Sequence, residues 1–154
     1  MSIVFTNRYA THPDDVKHYD TDKLRQHFLL DNLMQPDVLV LNYTHYERML
    51  VGSAVPVTKP ILLQTVDALK ADFFLQRREL GVINIGGAGV VEVDGTPYAL
   101  NFREALYVGK GARDVRFVST DAANPAKFYL NSTPAHQQYP TRHITMADCN
   151  VLNM

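Results

Sequence analysis

The sequence contains no tryptophan, one cysteine and almost no net charge, with 15 basic against 16 acidic residues. The single cysteine, Cys149, excludes an intramolecular disulfide framework. The near-zero charge gives no electrostatic reason to expect nucleic acid or an anionic membrane as a partner. No apolar run approaches the roughly 18 residues of a membrane helix, and the first residues lack the apolar core of a secretory signal. We therefore expect a cytoplasmic protein.

Short strand patterns, separated by Gly, Asp and Pro, make up most of what is present. Alternation with a period of two begins at Pro36 and continues to about residue 133. Many short strands with regular turn signals are typical of a β-sandwich or barrel. The second half of the segment 67–80 is ambiguous between helix and strand, and we predict strand. The predicted fold is therefore all-β, an antiparallel sandwich or barrel over residues 36–133.

The two ends of the chain have a different character. Residues 1–35 are predicted to form a polar extended arm followed by one short helix near Thr21 to Asn32, with Asp20 or Thr21 as its cap. Residues 134–154 contain two prolines and few large apolar side chains, so we expect a linker-like tail. No fixed-period repeat indicates a second domain.

The stretch RRELGVINIGGAGVVEVDGTPYALNFREALYVGKG, which begins at Arg77, raises the question of whether its glycines bind a phosphate. A phosphate loop needs a helix after the glycines, because the helix N-terminal amides contact the anion. Here the glycines are followed by VVEVDG, an alternating strand that ends in the Asp94-Gly95 pair favoured in type I′ turns. The stretch therefore predicts a strand and a hairpin, with glycines that permit tight turns.

The order of features in this stretch resembles the cupin β-barrel: a Glu, a strand, two glycines, a hairpin, a second Glu and two further glycines. Cupins place a His-x-His pair before the first Glu and a third His after the last glycine, and these side chains converge on one metal ion. At the corresponding positions this chain has Asp72, Phe73, Phe74 and Leu75 before Glu79, which is the first Glu, and Asp114 where the third His would fall. We therefore expect no metal in this barrel.

A closer resemblance is carried by TDKLRQHFL, YTHYERMLVGSAVPVTK, FFLQRRELGVINIGGAGVVEVDG, EALYVGKGARDVRF and PAKFYLNSTPAHQQYPT. These segments are similar to the 5-keto-4-deoxyuronate isomerase family over most of residues 21–142. The resemblance implies a double cupin of about twice this length that isomerises a small uronate in pectin breakdown. It further implies a homo-hexamer, and a zinc ion held by three His and one Glu of the carboxy-terminal cupin. This chain would then be the amino-terminal half, without a cofactor of its own.

Seven polar residues are candidates for binding a sugar acid, and each has a structural alternative. Two adjacent arginines point to opposite faces of a strand, so one of them can point inward and bind a carboxylate, or it can pair with a neighbouring acid. The histidines can line a pocket or lie on the surface. The candidates are His45, Arg48, Arg77, Arg78, Glu79, His136 and Tyr139.

Two functions of different classes follow from these observations. In the first, the chain belongs to an isomerase whose zinc-bearing half supplies the chemistry. In the second, it is a non-catalytic cupin module that binds a sugar acid or serves assembly. A zinc-binding segment encoded next to this one would favour the first function.

Overall fold

Eleven strands form two sheets in the computed structural model, which describes residues 2–152. The larger sheet has seven strands in the order β1-β2-β3-β10-β5-β8-β11, and the smaller sheet has the order β4-β9-β6-β7. The strands are β1 Ser2–Arg8, β2 Val38–Thr44, β3 Leu50–Ala54, β4 Ile61–Leu62, β5 Arg78–Asn84, β6 Gly89–Val93, β7 Thr96–Leu100, β8 Ala105–Val108, β9 Val115–Ser119, β10 Phe128–Pro134 and β11 Arg142–Ile144.

The core lies between the two sheets. Leu80 and Val82 of the larger sheet and Val91 of the smaller sheet are almost completely buried in one hydrophobic cluster. The rings of Phe117 and Phe128, one from each sheet, have centroids 5.4 Å apart. Alternate side chains of β5, β6 and β10 enter this core, and the two packed sheets confirm the predicted all-β, cupin-like sandwich.

The sheet extends beyond the residues 36–133 that the sequence pattern suggested. β1, from the segment expected to be an extended arm, pairs with β2 in parallel, while the other strand pairs are antiparallel in the described residues. Ile3 and Phe5 pack against the core, which anchors this strand. β11, from the expected tail, pairs with β8. Both ends of the chain therefore contribute edge strands.

Two short helices precede β2: α1 spans Pro13–Val16 and α2 spans Thr21–Phe28. Asp20 caps α2, since its carboxylate accepts a hydrogen bond from the Lys23 amide at 2.9 Å. The helix ends before the predicted Asn32 because Leu29 is already extended. No helix of residues 2–152 is long and apolar enough to cross a membrane.

The predicted strand in the second half of 67–80 is wrong up to Arg77, because β5 begins only at Arg78. The chain forms 3₁₀ turns at Asp67–Leu69 and Phe74–Gln76, and a third at Met146–Asp148. Phe74 and Leu75 are both buried. Consecutive residues of a strand face opposite sides, so only a turn brings both of these side chains against the same core.

The glycine-rich stretch forms the predicted hairpin. Asp94 and Gly95 both have positive φ, 48° and 83°, and they connect β6 to β7 as a two-residue turn. The loop before β6 is tight for another reason: a Cβ on Gly87 would lie 2.0 Å from the carbonyl oxygen of Asn124. A strand follows these glycines, as predicted, so the stretch offers no helix N-terminus to a phosphate.

Buried Asn84 holds this loop in place. Its Nδ2 donates to the carbonyls of Gly87 and Leu100 at 2.8 and 3.0 Å, and its Oδ1 accepts from the amides of Gly86 and Lys127 at 3.0 and 3.2 Å. These four bonds use both amide hydrogens and both lone pairs of the side chain. Asn84 is therefore fully satisfied, and it closes one end of the space between the sheets.

Candidate functional site

Strand β5 sends the candidate residues to opposite sides of the larger sheet. Arg78, Leu80 and Val82 alternate into the interior, and each is less than 9% exposed. Glu79 points to the outer face, as the alternation of a strand requires. Arg77 precedes the strand and is exposed. The expectation that one of the two arginines points inward is met by Arg78.

Arg78 is only 6% exposed, and all its hydrogen bonds go to uncharged oxygens. Its Nε donates to the Ser132 hydroxyl at 3.1 Å, and its Nη2 donates to the carbonyls of Ser132 and Arg48 at 2.8 and 2.7 Å. The guanidinium also lies 5.7 Å from the centre of the Tyr43 ring. Burial lowers the pKa of Arg78, and the nearby charge of Arg48 lowers it further, while Tyr43 raises it. Neither Arg77 nor Arg78 pairs with Glu79 or Asp72 within residues 2–152.

A cavity of about 230 Å³ opens in front of Arg78. We call it the arginine pocket; its lining is Tyr43, Arg48, Ala68, Leu69, Lys70, Ala71, Phe74, Arg77, Arg78 and Pro134. Four of these side chains are cationic and none is acidic. Lys70 is paired with Asp67 at 2.6 Å, on the solvent side. The other three cations are arginines, so the pocket is suited to an anion with the planar geometry of a carboxylate.

The outer face of the sheet carries a second, shallower cleft of about 540 Å³. Glu79 lies here, and its carboxylate accepts a hydrogen bond from the Tyr107 hydroxyl at 2.7 Å. Burial and this bond raise the pKa of Tyr107 to about 12. Tyr139 lines the same cleft together with Arg142 and Ile144. The candidates Glu79 and Tyr139 therefore occupy a different surface from the arginines.

The two candidate histidines line neither of these cavities. His45 is exposed and stacks on Tyr9, with ring centroids 4.5 Å apart. Its ring also meets the edge of Tyr43 at 5.0 Å, which places it behind the pocket wall. His136 is exposed in the loop that follows β10. Arg48, Arg77 and Arg78 were predicted as separate candidates, and the structure places all three in one pocket lining without the histidines.

The donors present do not fit a zinc ion. Within residues 2–152, no three His, Cys, Asp or Glu side chains lie close enough together to hold a metal. Glu79, at the position of the first cupin Glu, points away from the interior. Asp114 is exposed and pairs with Arg116 at 3.5 Å. No chemical step through a metal is therefore assigned to these residues.

The pocket also contains residues that the sequence pattern did not reveal. Tyr43 comes from β2, which is distant from Arg78 in sequence, whereas Lys70 follows the 3₁₀ turn at Asp67–Leu69 and Phe74 begins the one at Phe74–Gln76, only a few residues before Arg78. For Tyr43 the sequence contained one indication: it lies two residues before the candidate His45, and residues two apart in an extended segment face the same side. Tyr107 was likewise missed, although it lies opposite Gly81 on the neighbouring strand.

Three curated proteins that are similar to this chain are each named 4-deoxy-L-threo-5-hexosulose-uronate ketol-isomerase. The protein from Formosa agariphila is 55% identical over 154 residues, which is 100% of this chain and 55% of the relative. The protein from Halalkalibacterium halodurans is 54% identical over 136 residues, 88% of this chain and 49% of the relative. A Bacteroides fragilis relative is 49% identical over 100% of this chain and 55% of its own length. The chain thus spans about half the length of these relatives.

Solved structures with a similar fold include a cupin protein from Bacteroides fragilis and the cupin domain of Cnp3 from Schizosaccharomyces pombe. The first is 17% identical, has a TM-score of 0.42 and covers 68% of this chain and 79% of that one. The second is 9% identical, has a TM-score of 0.47 and covers 63% and 64%. A family model described as KduI/IolB matches residues 41–154, well over half of the sequence. The chain belongs to the KduI/IolB family.

Proposed function

We propose that this chain is the amino-terminal, metal-free half of a 4-deoxy-L-threo-5-hexosulose-uronate ketol-isomerase, acting on a small uronate in the cytoplasm during pectin breakdown. One observation carries the proposal: identity of 55% extends over the whole chain, yet the chain accounts for only 55% of the length of that relative. The zinc ion implied by the resemblance to the isomerase family would then be bound by the other half. Residues 2–152 offer no suitable set of ligands for it.

The separation of the candidate residues gives a chemical reason to expect no turnover by this half alone. Ketol isomerisation moves a proton between adjacent carbons, so it needs a base and a group that stabilises the developing negative charge. Glu79 is the one carboxylate among the candidates, and it lies on the face opposite to Arg78. A base and cations that face opposite sides of a sheet do not act on one substrate. Binding a substrate without stabilising the transition state does not accelerate the reaction.

A chimera tests this assignment. The chain replaces the segment that it matches in the Formosa agariphila isomerase, and conversion of 4-deoxy-L-threo-5-hexosulose uronate is followed by NMR. The unaltered relative is the positive control, and the isolated chain is measured with and without zinc. We expect conversion by the chimera and none above background by the isolated chain.

Two outcomes would contradict the proposal. Robust conversion by the isolated chain would assign the chemistry to these residues after all. A chimera that folds and binds zinc but does not convert the substrate would favour the alternative, a non-catalytic sugar-acid-binding or assembly module. Elemental analysis of untagged chain adds an independent check, because stoichiometric zinc that is lost in Glu79→Gln would place a metal site in this half.

We also propose that the chain forms a homo-oligomer through the outer face of the larger sheet. Ile83, on this face of β5, is 38% exposed, and Tyr139, which lines the cleft beside it, is 53% exposed. Glu79 and Arg142 line one cleft, so a two-fold contact between copies can bring opposite charges together. Sedimentation at tens of micromolar is expected to show a species larger than 17.4 kDa. A monomer alone, or an oligomer unaffected by Ile83→Lys, would exclude this contact.

A further inference from the structure

We propose that the arginine pocket is a binding site for the carboxylate of a small sugar acid, with Arg78 at its base and Arg48 and Arg77 at its rim. The choice of a sugar acid rests on the proposed function, whereas the anion preference rests on the pocket alone. The proposal concerns binding contacts alone and requires no chemical step.

The first argument is the uncompensated charge of Arg78. A buried guanidinium is costly unless it is paired with an anion, and hydrogen bonds to neutral carbonyls satisfy its donors without neutralising its charge. Its hydrogen-bond partners within the described residues are all neutral groups: the hydroxyl and carbonyl of Ser132, the Arg48 carbonyl and the Tyr43 side chain. No side chain that lines the pocket is acidic. An anion in the pocket would supply the missing negative charge.

The second argument is that Arg48 and Arg77 surround the same opening and retain free donors. Arg48 makes its recorded contact through its backbone carbonyl, which accepts from Arg78 at 2.7 Å, so its guanidinium is not needed to hold the fold. Arg77 donates through Nη2 to the Lys70 carbonyl. Arginine presents its N–H groups in a planar fork that matches a carboxylate, and several arginines around one opening favour such an anion.

Size and wall chemistry narrow the ligand to a small sugar acid. The pocket volume of about 230 Å³ lies below the range of about 300–1,000 Å³ that is typical of sites for drug-sized ligands. Ala68, Leu69 and Phe74 add apolar surface to the lining of the same pocket. Such a surface accommodates the C–H face of a sugar ring, which a simple inorganic anion does not need.

A different role for Arg78 is purely structural, namely tying β5 to β10 and to the loop after β2. The double variant Arg48→Gln/Arg77→Gln separates the two roles, because it removes rim cations but leaves every hydrogen bond that Arg78 makes. Both side chains are exposed, so the variant is expected to fold. Arg103→Gln is the matched control, since Arg103 is exposed and lies outside the pocket, over the Phe102 ring at 5.0 Å.

The experiment measures binding of D-galacturonate to the folded chain by NMR titration and calorimetry. D-galactose serves as the same ring without a carboxylate, and inorganic phosphate serves as an anion without a ring. We expect galacturonate to bind and galactose not to bind. The affinity for galacturonate should fall by about tenfold or more in the double variant, which corresponds to losing one charge-assisted hydrogen bond, and stay unchanged in Arg103→Gln.

Several results would overturn the proposal. Equal binding of galactose would remove the role of the carboxylate, and phosphate binding as tightly as galacturonate would leave a general anion site without sugar selectivity. No binding by the unaltered chain at millimolar concentrations would exclude the site. If the unaltered chain does not bind galacturonate and the double variant changes oligomeric state, the pocket would instead be occupied by a side-chain carboxylate of another copy. Because no turnover is measured, these results are independent of the chimera experiment.

Discussion

Arg78 and Asn84 lie on the same inward face of β5, at its two ends, and both are buried polar side chains. Asn84 makes four hydrogen bonds to the backbone, and these leave no polar atom of the side chain without a partner. Arg78 also donates to backbone oxygens, but its positive charge has no counter-charge among the described residues. After these contacts have formed, Asn84 has no unsatisfied polar atom, whereas Arg78 still has a positive charge that is unpaired in the described part of the chain.

This difference separates a structural role from a binding role at two positions of similar burial. A neutral amide that is fully satisfied by its own chain has nothing to offer a ligand. A buried cation that faces a cavity lined by further cations retains an attraction for anions. Burial of a polar residue is therefore not enough to identify a binding site. A buried charge without a counter-charge is the feature that indicates one.

The largest expected effect comes from Asn84→Ala. The substitution leaves two carbonyls and two amides of the glycine loop without their partner, so the free energy of unfolding should fall on the order of 3 kcal/mol. Urea denaturation measures the loss. Asn7→Ala is the control, because Asn7 is exposed on β1 and its side chain makes no hydrogen bond within residues 2–152, so its effect should stay within about 0.5 kcal/mol. Equal losses of unfolding free energy in the two variants would contradict a structural role for Asn84.

Arg78→Met is expected to have a smaller effect on stability. The lost hydrogen bonds are partly offset because a buried charge is also removed, so we expect a net loss of about 1 kcal/mol. The variant should also lose the stabilisation that D-galacturonate gives the unaltered chain, measured as a shift of the unfolding midpoint. A loss of stability equal to that of Asn84→Ala, with the galacturonate shift intact, would show that the two residues have the same role.

At neutral pH the smallest effect is expected on the outer side of the same strand, because Tyr107 titrates only in alkaline solution. The pKa of Tyr107 is raised to about 12 from an ordinary value of 10.0. The unfolded chain therefore releases this proton first, and the free energy of unfolding should fall as the pH rises from 10 to 12. Glu79→Gln removes the neighbouring negative charge, so the pKa of Tyr107 should move towards 10.0, as followed by tyrosinate absorbance with Tyr107→Phe for assignment. An unchanged pKa would exclude control by Glu79.

Local turn chemistry and strand alternation were predictable from the sequence. The Asp94-Gly95 pair predicted a two-residue hairpin because both residues tolerate positive φ, and the structure has that turn. The adjacent arginines predicted that one side chain points inward, and Arg78 does so; Arg77 lies just before β5 and lines the same pocket. These features depend on a few neighbouring residues, so a short stretch of sequence contains the necessary information.

Features set by distant segments were not predictable in this way. β1 lies in a segment of mostly polar residues that resembles an arm, and its place in the sheet depends on a parallel partner 36 residues later in the chain (Ser2 pairs with Val38). The interior turn at Phe74–Gln76 forms because two consecutive apolar residues share one core, a constraint that appears only when the core is assembled. The arginine pocket likewise requires Tyr43 and Lys70, which approach Arg78 only in the folded chain.

The position of β10 has a consequence for how the protein is made. β10 lies between β3 and β5, and it pairs with both, although it follows them by a long stretch of chain. During translation, β2, β3 and β5 leave the ribosome before the strand that joins them exists. The larger sheet cannot close until residue 134 has emerged, so the nascent chain should remain sensitive to protease up to that length. Contacts between such distant segments also place this fold among those that form slowly.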